Sequence, residues 1–307
     1  MISKLLIVLL ASAAPAFAQS PGSEGILLLA HGGNAEWNTR VNDLRATLDR
    51  TQPTEVAFGM ATRPAIQSAV DRLVERGAKS IVAVPLFISS HSSVVTSTAY
   101  LLGVRAEMPK ELTMFARMNH GAHGAPPAGT TGHEGHTASN AAPVDNTKPV
   151  ISPVPIRMTD ALNRHPIVAA ILTERARTIS TAPEQEAVII AAHGPVRDEE
   201  NQRWLADMNV LAEHVDRETS FAAIETLTVR DDAPPEIRDA AARELRALVT
   251  KHTAAGRRVL IVPLLLSYGG IEKGIRERLD GLTYAMATQG LMPDPRLADW
   301  VRQVVGR

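Results

Sequence analysis

Residues 26–34 read Ile-Leu-Leu-Leu-Ala-His-Gly-Gly-Asn. The apolar run from Ile26 to Ala30 suits a buried strand. Gly32, Gly33 and Asn34 then turn the chain into residues 36–49, whose spacing is that of an amphipathic helix. In an open parallel sheet, ligands sit beyond the carboxyl ends of the strands, so this strand, turn and helix aim the His31 imidazole at a cleft. The phrase returns at residues 187–194, Ala-Val-Ile-Ile-Ala-Ala-His-Gly, followed by a second helical pattern carrying Trp204, Leu205, Met208, Leu211 and Val215. The repeat predicts an internal duplication in which His193 answers His31.

Working outward, residues 55–60 read as a second strand. Pro64 opens a helix with Ile66, Val70, Leu73 and Val74 on one face, stopped at Gly77. Residues 80–89 form a third strand, apolar enough to be covered on both faces. It delivers Ser89, Ser90 and His91 to the same edge as His31. The second half repeats the order with a strand at 221–230, a helix at 235–252 and a strand at 258–266. Val84-Pro85-Leu86-Phe87 is answered there by Val262-Pro263-Leu264-Leu265. A closing strand and helix end each half, from Arg157 to Pro166 and beyond, and from Ala285 to Pro295 and beyond. The expectation is an α/β chain of two similar lobes, 24–180 and 185–307, each a parallel sheet flanked by helices. The boundary falls in Thr181-Ala182-Pro183-Glu184.

The first half is much longer between Pro85 and Pro166 than the second is between Pro263 and Pro295. The excess includes residues 119–149, rich in Gly, Ala, Thr, Pro and His, a composition that cannot bury enough apolar surface to offset ordering. This stretch is expected to be a disordered loop within the first lobe. It holds His120, His123, His133 and His136, four of the 10 histidines. Imidazole suits Co, Ni, Cu and Zn, so an accessory role in collecting metal is expected of these four.

Composition narrows the function. The 307 residues allow two domains; hydrophobic content of 45% and charge of 21% are those of a globular protein, and a net charge of -1 gives no reason to expect nucleic acid. With no cysteine, disulfides, thiolate metal sites and cysteine nucleophiles are excluded. At the amino terminus Lys4, the apolar residues 5–10 and Ala16-Phe17-Ala18 form a secretory signal with expected cleavage after Ala18, giving a periplasmic or secreted protein. That apolar core is too short for a stable membrane span.

His31 and His91 both follow buried strands of one lobe, where two neutral imidazoles can hold a divalent ion and leave coordination positions open for exchange or catalysis. The second half keeps His193 but has Tyr268, Gly269 and Gly270 in place of His91. A duplicated fold with one complete pair suggests one metal site, in the first lobe, closed over by the second.

The Leu-Ala-His-Gly after the first strand, the Val-Pro-Leu-Phe strand leading to Ser-Ser-His, and the closing Thr-Asp-Ala-Leu-Asn-Arg-His-Pro together resemble the class II tetrapyrrole chelatases of the sirohydrochlorin cobaltochelatase (CbiX) type. The resemblance spans nearly all of residues 24–307 outside the histidine-rich loop. It implies two lobes around a cleft that takes an acidic tetrapyrrole and inserts Co(II), or in relatives Ni(II) or Fe(II), with no organic cofactor. It also implies that His31 is a metal ligand and proton acceptor, that His91 is the second ligand, and that Leu86, Phe87, Ile88, Ser89 and Ser90 line the macrocycle. Where the family often places a glutamate before the second helix, this chain has Met60. Glu272 stands where the related ferrochelatases have the glutamate of a His-Ile-Glu motif, and is also a carboxylate favoured at a helix N-terminus. His193 and Arg230 are expected substrate contacts, and Arg197 or Arg230 can pair with the carboxylates of the macrocycle rim.

The competing class is a non-catalytic periplasmic metal- or tetrapyrrole-binding protein. Export and Met60 favour it; the pair His31 and His91 favours the enzyme. A histidine phosphatase would need an arginine where Ala30 stands. A two-lobed solute receptor fits the architecture but has no need of the two histidines.

Overall fold

The computed structural model describes residues 24–117 and 145–307. Its strands fall into two four-stranded parallel sheets. β1 (Glu24–Ala30), β2 (Thr54–Phe58), β3 (Ser80–Leu86) and β4 (Ile156–Met158) run in the order β2-β1-β3-β4. β5 (Glu186–Ala192), β6 (Ala223–Thr228), β7 (Arg258–Leu264) and β8 (Ala285–Met286) run in the order β6-β5-β7-β8. The registers match as well: Ala30 lies opposite Phe58 and Leu86, and Ala192 opposite Thr228 and Leu264. The duplication read from the two Ala-His-Gly phrases is therefore structural, with each phrase at the end of a central strand.

Strand periodicity sorts the core into layers. In the first lobe Leu27 and Leu29 face outward onto α2 (Arg63–Glu75), α3 (Ser93–Leu101) and α4 (Leu112–Arg117), meeting Ile66, Val70, Leu73, Leu101 and Phe115. In the second, Ile189 and Ala191 face α7 (Pro235–Ala254) and α8 (Ile271–Arg278), meeting Leu245, Val249, Ile275 and Leu279. The opposite faces of both sheets share a single core with α1 (Ala35–Asp49), α5 (Pro166–Ile179), α6 (Asp198–Glu218) and α9 (Arg296–Val305). Two of these helices are exchanged. α5 follows β4 but packs on α6 and β7, while α9 follows β8 but packs on α1 and β3. Each sheet is thus covered in part by the other lobe's closing helix.

The strands stop earlier than their apolar runs. β2 ends at Phe58 because Gly59 turns the chain at φ 128° and Ala61 follows at φ 50°. β3 ends at Leu86 because the next carbonyls, of Phe87 and Ile88, accept from the N–H groups of Leu162 (3.1 Å) and Asn163 (2.8 Å) in the closing segment. α3 and α4, within the insertion, have no signal in the sequence reading; α3 is Ser-Val-Val-Thr-Ser-Thr-Ala-Tyr-Leu and carries no charged face to set a helical period. Of the stretch expected to be disordered, residues 145–149 are ordered instead. Arg63 Nε donates to the Lys148 carbonyl (2.9 Å), and Val150 N–H to that of Leu101 (2.7 Å). His120, His123, His133 and His136 and the secretory signal lie outside the described residues. Among those described, no helix is long and apolar enough to cross a membrane.

At the junction of the halves, Glu186 is 1% exposed. Burial alone would raise its carboxyl, but hydrogen bonds from Ser180, from Thr181 N–H (3.0 Å) and from the Arg258 guanidinium (2.6 Å) outweigh it and hold the pKa at about 2, below the ordinary 4.5. A carboxylate depressed on folding stabilises the native state above its unfolded pKa, and that contribution is lost as pH falls through the folded value. Between pH 4.5 and 2 the protein should therefore lose stability more steeply than a Glu186→Gln variant. Urea unfolding at a series of pH values checks this; parallel curves would count against the ion pair.

Candidate metal and macrocycle site

β1 is central in its sheet, so the residue after it emerges at the middle of the carboxyl edge. His31 is exposed there, and its Nδ1 lies 2.7 Å from the Gly32 carbonyl. A carbonyl can only accept, so the Nδ1 position carries the proton, and in the neutral ring Nε2 presents a lone pair. This is the arrangement of a metal ligand or base whose other nitrogen is anchored by backbone. Gly32 takes φ 83°, and its counterpart Gly194 takes φ 75°, with Thr228 so close that an added Cβ would lie 2.4 Å from that residue's own Cβ. A side chain has no room at Gly194, and at Gly32 the positive φ alone would strain one, which accounts for the His-Gly pairing in both halves.

His91 comes from the neighbouring strand, in the loop between β3 and α3. Lobe one builds that loop through Ser90, whose N–H donates to Asn163 Oδ1 (2.7 Å) and whose Oγ accepts from Ala161 N–H (2.9 Å) and Asn163 Nδ2 (3.0 Å). The N–H of His91 donates to Ser89 Oγ (3.1 Å), and its carbonyl accepts from Trp204 Nε1 (2.8 Å) across the lobe interface. Leu86 and Ser89 are buried, while Phe87, Ile88 and Ser90 are half-buried. Ile88 packs toward the shared core and Phe87 toward the outer one. Leu86 and Ser89 are thus the buried members of the segment expected to line a macrocycle.

The second-lobe candidates fare differently. Arg230 is 8% exposed and its guanidinium is engaged by its own lobe, donating to the carbonyls of Pro195 (3.1 Å) and Val196 and to Asp198 (2.6 Å). These bonds staple the β5–α6 loop. Arg230→Ala should accordingly cost about 2 kcal/mol of stability and leave the KM for substrate unchanged, which thermal unfolding and steady-state kinetics together would show. Glu272 accepts from the N–H groups of Gly269 (3.1 Å) and Gly270 (2.9 Å), satisfying backbone donors at the start of α8. His193 Nε2 lies 3.4 Å from the Asp232 carboxylate. Arg197 pairs with Glu111 of the first lobe (2.9 Å). Met60, half-buried, packs against the outer core of lobe one.

Tyr268 and Gly269 occupy the register positions of Ser90 and His91. Burial pushes the Tyr268 phenol up to about 12, and its hydroxyl donates to the Ala287 carbonyl. Among the described residues, no three His, Asp or Glu side chains are grouped closely enough to hold a metal ion. Sequence reasoning missed Asn163, which shapes the His91 loop, and Trp204, which it read only as part of an amphipathic face.

Two duplicated parallel sheets sharing a helical layer, with histidines at the ends of the central strands, define a class II chelatase fold. The CbiX family model matches residues 25–179, and the chain belongs to that family. Two solved structures show the same fold over 92% of this chain. SirB from Bacillus subtilis with Fe3+ is 15% identical at a TM-score of 0.59, covering 92% of this chain and 94% of that one. The sirohydrochlorin chelatase SirB from Bacillus subtilis subspecies spizizenii in complex with cobalt is 13% identical at a TM-score of 0.55, with the same coverage of 92% and 94%. No sequence among the curated proteins matches this chain.

Proposed function

We propose that this chain inserts a divalent metal, Co(II), into sirohydrochlorin or a closely related acidic tetrapyrrole at the carboxyl edge of the first lobe. The observation that carries the reading is His31. Its imidazole is exposed at the end of the central strand, anchored at Nδ1 and open at Nε2, in the half of the chain that the family model covers. His31 and His91 would supply two nitrogen donors and leave the remaining positions of the ion to water and then to the macrocycle. Two pyrrole N–H protons must leave as the ion enters. A neutral imidazole can accept one of them. Cobalt is chosen because a relative of the same fold is described in complex with cobalt, and imidazole ligation suits it.

We place the mature protein in the periplasm, on the secretory signal ending at Ala18, and give His120, His123, His133 and His136 the role of an accessory metal store. A second reading, a tetrapyrrole or metal carrier without turnover, is favoured by one feature. Met60, packed into apolar surroundings, stands where the family often has a carboxylate. Replacing both His31 and His91 with alanine separates the assignments. Metallation should vanish while the histidine-rich segment still binds metal. Unchanged metallation by the double variant would remove the site from lobe one.

A further inference from the structure

We propose that the second lobe serves the reaction as a clamp on His91, with Trp204 and Glu200 of α6 as positioning residues. The inference rests on the reading of His91 as a metal ligand and assigns the second half of the duplication a part in it.

Both backbone groups of His91 are hydrogen-bonded, and by different lobes. The N–H is held within lobe one by Ser89, while the carbonyl is held by the Trp204 indole N–H at 2.8 Å. One turn earlier on the same face of α6, Glu200 Oε1 accepts from Ser93 Oγ at 3.0 Å, two residues beyond His91 and at the first position of α3. Arg197, just before α6, pairs with Glu111 at the foot of α4. Side chains from the start of α6 and the residue before it thus hold His91 and the elements that follow it. Fixing the peptide on both sides fixes the direction of the Cα–Cβ bond. The imidazole then has only its own two torsions to order when an ion arrives.

The internal repeat supplies the contrast. Gly269 holds the register position of His91, and the tryptophan that α1 presents to it, Trp37, meets it through carbon: an added Cβ there would lie 3.4 Å from Cδ1. The Gly269 N–H turns to Glu272 of its own lobe. Each lobe sets a tryptophan against the other's loop, and the indole N–H is used as a tether on the side that carries the histidine.

The test uses the full mature chain with His120, His123, His133 and His136 changed to alanine, so that Co(II) titrations report the lobe-one site. Trp204→Phe removes the donor and keeps the ring, Glu200→Ala removes the acceptor, and Glu200→Gln restores one. Trp204→Phe and Glu200→Ala should each weaken Co(II) binding, and raise the KM for Co(II), by about tenfold, the scale of outer-shell partners of metal ligands. Glu200→Gln should stay within about twofold of the parent, and the KM for sirohydrochlorin should not move in any of the three. His91→Ala is the reference. If it loses Co(II) while Trp204→Phe and Glu200→Ala bind like the parent, the clamp is wrong and the ligand assignment stands. If His91→Ala itself binds like the parent, the ligand assignment fails and the clamp with it. Thermal unfolding monitors the fold, and the Ala and Gln variants of Glu200 decide the matter if Trp204→Phe is destabilised.

Discussion

His31→Ala should slow metallation of sirohydrochlorin by at least about a hundredfold while leaving the thermal midpoint unchanged, since a positioned general base contributes on that scale. The two halves of this expectation have separate structural grounds. His31 is exposed, and its side chain is hydrogen-bonded to the carbonyl of the very next residue. Its removal therefore opens no cavity and strands no buried partner. The reaction, by contrast, would on the proposed assignment lose both a nitrogen donor to the ion and an acceptor for a pyrrole proton. Anaerobic single-turnover absorption spectra with Co(II) would separate the two losses: a rate restored at saturating Co(II) would mean that His31 only binds metal, and a persistent deficit that it also moves the proton. A variant with wild-type rate would exclude both roles.

Trp300→Ala should cost about 4 kcal/mol, the range of large-to-small changes in a packed core, whereas Trp300→Phe should cost far less. Trp300 is 0% exposed on α9, the helix that closes lobe two but packs on α1 and β3 of lobe one. Its indole Nε1 is buried without a hydrogen-bond partner among the described residues. Replacing the ring with a smaller aromatic therefore relieves an unsatisfied donor as it opens a modest void, and the two effects oppose each other. Because the core around Trp300 draws on both sheets, the alanine variant should lower one cooperative transition rather than detach a lobe. Urea unfolding followed by circular dichroism would reveal this, and two separated transitions would contradict the shared core.

The duplication was legible because it rests on short, strong signals. Two apolar runs end in Ala-His-Gly, and Gly32 and Gly194 both sit at positive φ where a side chain is strained. The sheet class, the order of elements and the edge that receives His31 and His91 all follow from that pattern. The exchange of α5 and α9 was not legible. An amphipathic helix records that it has an apolar face, not which sheet will cover it, and α5 is as well patterned for its own sheet as for β7. The roles of Arg230 and Glu272 were likewise hidden. Nothing in the sequence says that the carbonyls of Pro195 and Val196 take donors of Arg230. Nor does it say that one carboxylate oxygen of Glu272 accepts from the N–H groups of Gly269 and Gly270. Both are local hydrogen-bond choices made in three dimensions, with no period in the sequence to betray them. The same holds for Trp204, whose buried ring was legible as core but whose N–H, directed at the His91 carbonyl, was not.

The central claim is turnover, and the most direct measurement is the absorption spectrum of the protein lacking residues 1–18 and 119–144, mixed anaerobically with an excess of sirohydrochlorin and Co(II). The account predicts conversion to the metallated spectrum over many turnovers, faster than in the protein-free mixture and lost on changing His31. Binding that stops at one equivalent, with no acceleration over the protein-free rate, would contradict it and leave a carrier built on a chelatase fold.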